Sequence, residues 1–102
     1  MSLRRGEVYA YTPVLPRPGQ SLLRLIVSAD ALNNSPVPVG LGLQVVANDP
    51  GSLLAVRLEG HGWAVVTTVE QVMKRRLGAL AGRISPDEQR DVDNALRAAL
   101  EL

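Results

Sequence analysis

The last third of the chain, KRRLGALAGRISPDEQRDVDNALRAALEL from Lys74, constrains the fold more than any other stretch. A basic cluster, Lys74-Arg75-Arg76, runs into a short apolar segment and then into Ser85-Pro86-Asp87-Glu88. Ser85 can cap a helix, Pro86 suits its first turn, and Glu88 three residues on completes a capping box. Beyond it Val92, Ala95, Leu96 and Ala99 recur at i, i+3, i+4 and i+7, the spacing of one helix face. Arg90, Asp91, Asn94, Arg97 and Glu101 fill the rest of the circumference. The apolar face is rich in small residues, which predicts close packing against a sheet.

Ahead of this helix the chain reads mainly as short strands between turn signals. Residues 6–12 alternate as a strand, and residues 13–21, with Pro16, Pro18 and Gly19, form a loop because their prolines would break a ladder. Leu22 to Ser28 reads as an apolar strand buried on both faces, followed by a helical turn over residues 29–33. Residues 42–47 and 52–58 are strands joined by a turn at Asn48-Asp49-Pro50-Gly51, and Gly60-His61-Gly62 turns into a further strand over residues 63–69. The expected fold class is β-rich α+β: a small, strongly twisted antiparallel sheet or barrel with a C-terminal helix.

Bulk properties set the limits. At 102 residues the expectation is a single domain, 1–102, with a core of Val, Leu, Ala and Ile, since only 3% of residues are aromatic. A net charge of +1 leaves anion binding to local clusters such as Arg4-Arg5 and Lys74-Arg75-Arg76. There is no cysteine, so thiolate chemistry is excluded, and with one histidine no tetrahedral zinc set can be assembled. No phosphate loop, dinucleotide fingerprint or nucleophile elbow occurs. No apolar run reaches the roughly 20 residues of a membrane span, and a soluble cytoplasmic protein without metal or cofactor is the expectation.

Several pieces, in order, resemble the MazF/PemK/Kid family of toxins from bacterial type II toxin–antitoxin systems. Arg4-Arg5-Gly6-Glu7-Val8-Tyr9 is similar to the family's opening, and residues 26–33, Ile-Val-Ser-Ala-Asp-Ala-Leu-Asn, to its second strand and turn. Val66 to Leu77 fits the segment that usually reads Asp-Gln-Ile-Arg-Thr-Val-Asp-Lys-Ser-Arg-Leu, with Thr67-Thr68 in place of its Asp-Gln pair, and Gly82-Arg83-Ile84-Ser85 with the terminal helix completes the match. The resemblance implies a MazF/CcdB-like, SH3-like barrel working as a symmetric homodimer. It also implies metal-independent, sequence-selective cleavage of single-stranded RNA, growth inhibition, and a cognate antitoxin peptide or protein that covers the same groove. An arginine from the second strand region and a threonine or serine from a later strand would act at the phosphate, where placed donors stabilise developing charge.

In an ungapped reading the family's arginine position falls on Leu22 and its threonine position on Leu54. Arg24 becomes the candidate catalytic arginine: residues 22 and 24 share a strand face about 6.6–6.8 Å apart, within reach of a long side chain. The other reading of Arg24 is an ion pair with an acidic neighbour or a place at a dimer interface. His61 is the one proton carrier for neutral pH, against the plainer reading of a solvated turn residue. Arg17, Gln20, Ser21, Asn48, Asp49 and Thr67 are candidate substrate-binding residues. The alternatives to a nuclease are a catalytically silent homodimer that binds RNA or an antitoxin-like peptide and, more remotely, a CcdB-like gyrase poison.

Overall fold

A computed structural model describes residues 3–102. The elements run β1 (Glu7–Tyr11), β2 (Leu23–Ile26), α1 (Asp30–Asn33), β3 (Val39–Val46), β4 (Ala55–Leu58), β5 (Gly62–Met73), a 3₁₀ turn (Lys74–Arg76), β6 (Leu77–Arg83) and α2 (Pro86–Leu100). Six strands form one antiparallel sheet in the order β4-β5-β3-β2-β1-β6. The expected capping box is present, with Ser85 Oγ accepting from Glu88 N–H at 3.1 Å and Glu88 Oε1 accepting from Ser85 N–H at 2.8 Å.

Strand alternation divides the core in two. Val8, Leu25, Val27, Leu43, Val45, Ala64 and Val66 point to one face, where Val92 of α2 is fully buried and Ala95 and Leu96 pack beside it. Their neighbours Tyr9, Tyr11, Ile26 and Val72 point to the other face and gather with Leu3 and Leu77. Burial on both faces explains why β2 has no amphipathic signal in the sequence. The expected helix face holds as far as Leu96, whereas Ala99 lies beyond the sheet and is exposed.

One expectation changes. The segment between the basic turn and α2 is an edge strand, β6, paired with β1 through register shifts. Four consecutive exposed residues, Gly78 to Ala81, hide the alternation that announces a strand. Of the sheet or barrel expected, the chain forms the antiparallel sheet, open, with β4 and β6 as its edges. The turn after β4 meets β6 and α2 without ladder hydrogen bonds. A Cβ on Gly82 of β6 would lie 2.8–2.9 Å from the His61 ring, and Glu88 accepts from the Glu59 N–H at 2.6 Å.

Strand β5 supplies the bend. Between the pairs Gly42↔Glu70 and Gln44↔Val65, two steps on β3 match five on β5. The Thr68 hydroxyl accepts from the Gln44 N–H at 2.8 Å and donates to the Val65 carbonyl at 2.6 Å, replacing ladder bonds lost to this bulge. The bend turns Glu70 towards the second face, beside β2.

Candidate nucleic-acid interface

Two clefts open beside the start of β2, and the loop from Thr12 to Leu22 borders both. Its base is tied down: Tyr11 N–H donates to the Leu22 carbonyl at 2.8 Å and Thr12 N–H to the Arg76 carbonyl at 3.1 Å. The Arg76 guanidinium donates back to the Thr12 carbonyl at 3.3 Å.

The larger cleft has a volume of about 650 Å³ and is lined by Ser21, Leu22, Asn48, Asp49 and His61. The Ser21 hydroxyl donates to the Val45 carbonyl and accepts from the Leu23 N–H, so it anchors the loop to β3. Asp49 accepts from the Gly51 N–H at 2.8 Å, the turn chemistry its sequence suggested. Asn48 is exposed, and no described residue hydrogen-bonds its side chain.

His61 is half-buried against Gly82, and neither ring nitrogen has a hydrogen-bond partner among the described residues. Its neighbour Glu88 is held below the ordinary carboxylate range. Burial pushes that carboxyl upward, but the Ser85 and Glu59 N–H donors, the Ser85 hydroxyl and His61 together outweigh it.

The second cleft, about 350 Å³, lies on the opposite face of β2, with Tyr11, Gln20, Arg24, Gln44, Glu70 and Gln71 in its wall. Arg17 also lines it. Arg24 follows the alternation of β2 onto the Ile26 face, where its residue exposure is 0%. An arginine there needs partners, since a buried unpaired charge is costly. Its Nε donates to Glu70 Oε1 at 2.8 Å, and Nη1 donates to the carbonyls of Ser21 at 2.7 Å and Leu23 at 2.9 Å. The guanidinium carbon lies 4.9 Å from the centre of the Tyr11 ring. Only Nη2 is left without a protein partner among the described residues.

Sequence reasoning therefore gathered residues of two neighbouring clefts: Ser21, Asn48, Asp49 and His61 in one, Arg17, Gln20 and Arg24 in the other. Thr67 is exposed on the β5 bulge and lines neither. Leu22 precedes β2, is 61% exposed and lines the larger cleft, whereas Arg24 lines the other one, so the two do not share a strand face as expected. Leu54 packs against the α2-facing core. Gln44, Glu70 and Gln71 were not anticipated. A lone polar residue inside an apolar strand, as in Leu-Gln-Val at 43–45, was the available signal. Position 70 is arginine in the family segment quoted above, so Glu70 departs from that pattern.

No protein-family model and no curated protein matches the sequence. Solved structures do match the fold. An endoribonuclease from a mycobacterial species superposes with a TM-score of 0.82 at 22% identity, covering 100% of this chain and 94% of that one. An endoribonuclease in complex with its cognate antitoxin, also mycobacterial, gives 0.84 at 22%, covering 98% and 96%. The MazE–MazF complex of Deinococcus radiodurans gives 0.83 at 15%, covering 100% and 99%. At these identities the likeness establishes the fold, and this chain is built on the MazF scaffold.

Proposed function

We propose that this chain is a toxin of a type II toxin–antitoxin pair, a metal-independent endoribonuclease acting on single-stranded RNA. It works as a homodimer in the cytoplasm and is restrained by a cognate antitoxin. The observation that carries the proposal is the superposition over at least 98% of the chain on solved endoribonuclease and MazE–MazF structures, among them an endoribonuclease in complex with its cognate antitoxin. In keeping with this reading, no described helix is long and apolar enough to cross a membrane.

His61 carries the proton in the proposed reaction. The RNA 2′-hydroxyl attacks the adjacent phosphorus while its proton passes to the imidazole. The P–O5′ bond then breaks and the leaving oxygen takes a proton, giving a 2′,3′-cyclic phosphate and a 5′-hydroxyl. Asn48 donates to the phosphate from the same cleft, and Arg17 draws the backbone in from the loop. Arg24 acts as a positioning residue, because its bonds to the Ser21 and Leu23 carbonyls fix the end of the loop. Proton transfer by a placed side chain contributes about 10²–10⁴-fold. With no arginine among the described residues that line the His61 cleft, the expected enzyme is a slow one.

The internal pairing of Arg24 favours a second reading, a silent scaffold that binds RNA or an antitoxin-like peptide without cutting. Purified protein and long single-stranded RNA in EDTA, beside His61→Ala, separate the two. Site-selective cuts lost in the variant support the nuclease. RNA that is retained uncut by both proteins overturns it in favour of the scaffold.

A further inference from the structure

We infer that the cavity beneath the loop, floored by Arg24 and Glu70, is a pocket for one nucleobase of the bound strand. The inference deepens the proposal that this chain acts on single-stranded RNA and rests on it.

The pocket is built around a charge pair that is almost spent. The Arg24 side chain is 1% exposed, and three of its N–H groups already have protein acceptors. What remains is Nη2 on the arginine and Oε2 on Glu70, neither bonded to a described residue, and both residues line the cavity. Between them they offer a donor and an acceptor from a pair with no net charge.

A phosphate fits this arrangement poorly. It brings acceptors only and would set its charge against the Glu70 carboxylate, whose side chain is 38% exposed. A nucleobase edge carries a donor beside an acceptor, and a base lifted out of a single strand presents that edge openly. Arg17 also lines the cavity and supplies a charge for the backbone phosphate beside the base, while three other side chains are neutral donor–acceptor groups. Gln20, Gln44 and Gln71 supply amides, each able to donate and accept. The Gln44 and Gln71 amides make no hydrogen bond to a described residue, while Gln20 accepts from the Arg17 N–H at 3.1 Å. Val14 and Leu15 of the loop also line the cavity, at 55% and 73% exposure, and give apolar surface for the faces of a planar ring. A volume of about 350 Å³ admits a base with water to spare.

The test separates base from phosphate, and pocket from catalysis. His61→Ala protein is titrated with a short single-stranded RNA, with the same RNA carrying abasic sugars, with the four nucleosides and with inorganic phosphate. The titrations are repeated in Gln44→Leu and Gln71→Leu, which keep the Arg24–Glu70 pair intact, with thermal melts as the fold control. Removal of one particular base should weaken RNA binding at least tenfold. Gln44→Leu should reproduce that loss on intact RNA and add little on the abasic strand, and phosphate should not compete. The inference is overturned if both glutamine variants bind RNA like the parent, a result that leaves RNA binding itself standing. It is equally overturned if phosphate binds and Gln44→Leu does not weaken any nucleoside. If RNA does not bind but a nucleoside does, in a manner that depends on Gln44, the pocket stands and the RNA-directed function fails.

Discussion

Replacing Glu70 with leucine isolates the polar pair at the centre of the interface. Arg24 is 1% exposed at its side chain and Glu70 is 38% exposed, so the substitution strands a buried cation while removing a partly solvated anion. Breaking a buried pair by deleting one partner costs about 3–5 kcal/mol. Here Nη1 keeps two carbonyl acceptors and the cleft admits water, which places the expected loss at about 2–3 kcal/mol. In a domain of this size that lowers Tm by about 10–20 °C.

Arg24→Leu should cost less, about 1–2 kcal/mol, because the partly exposed Glu70 turns to solvent and no buried charge is left behind, although the bonds to Glu70 and two carbonyls and the contact with the Tyr11 ring are lost. The double variant should resemble Arg24→Leu, leaving a coupling of about 2–3 kcal/mol in a double-mutant cycle. Urea unfolding followed by the fluorescence of Trp63, the single tryptophan, at one fixed protein concentration supplies all four values. A Glu70→Leu loss under about 0.5 kcal/mol, or a coupling near zero, would refute the claim that the buried Arg24 depends on Glu70.

The remaining predictions concern catalysis, the helix start and one turn. His61→Ala should lower the RNA cleavage rate by about 10²–10⁴-fold while thermal melts show the fold retained; an unchanged rate removes His61 from the chemistry. Ser85→Ala should cost about 1 kcal/mol by opening the capping box, read from the shift in urea midpoint. Glu88 binds its proton less readily in the folded state than in the unfolded one. Its contribution to stability is therefore complete above the unfolded carboxylate pKa and is lost as pH falls through the lower folded value. Urea midpoints between pH 7 and pH 3 should show an acid-side decline that is shallower in Glu88→Gln. Gly62 has φ +117°, and a Cβ there would run into the Val46 carbonyl oxygen. Gly62→Ala should then be destabilised by about 1–3 kcal/mol or more, measured by thermal melting.

Local chemistry was legible in the chain, and long-range pairing was not. The capping box from Ser85 to Glu88, the Asn48-Asp49-Pro50-Gly51 turn and the core positions of β2 are decided by neighbours a few residues apart, so they could be read directly. Strand β6 was missed because an edge strand with both sides exposed at Gly78 to Ala81 carries no alternation. Thr67 was proposed for substrate when its neighbour Thr68 serves the β5 bulge, a distinction made only by the register against Gln44.

The same division runs through the interface. Sequence alone supplied an arginine in an apolar strand, a lone histidine between glycines, and a Pro/Gly-rich loop able to border a groove. Tertiary structure decided what each one meets. A bulge in β5 brings Glu70, 46 positions away, onto Arg24 and turns a candidate phosphate ligand into half of a neutral pair. The curl of an open sheet presses His61 of one edge turn against Gly82 of the other edge strand. Residue type fixes what a side chain can do, but burial and partners are set by contacts between distant segments, and those depend on how strongly the sheet bends.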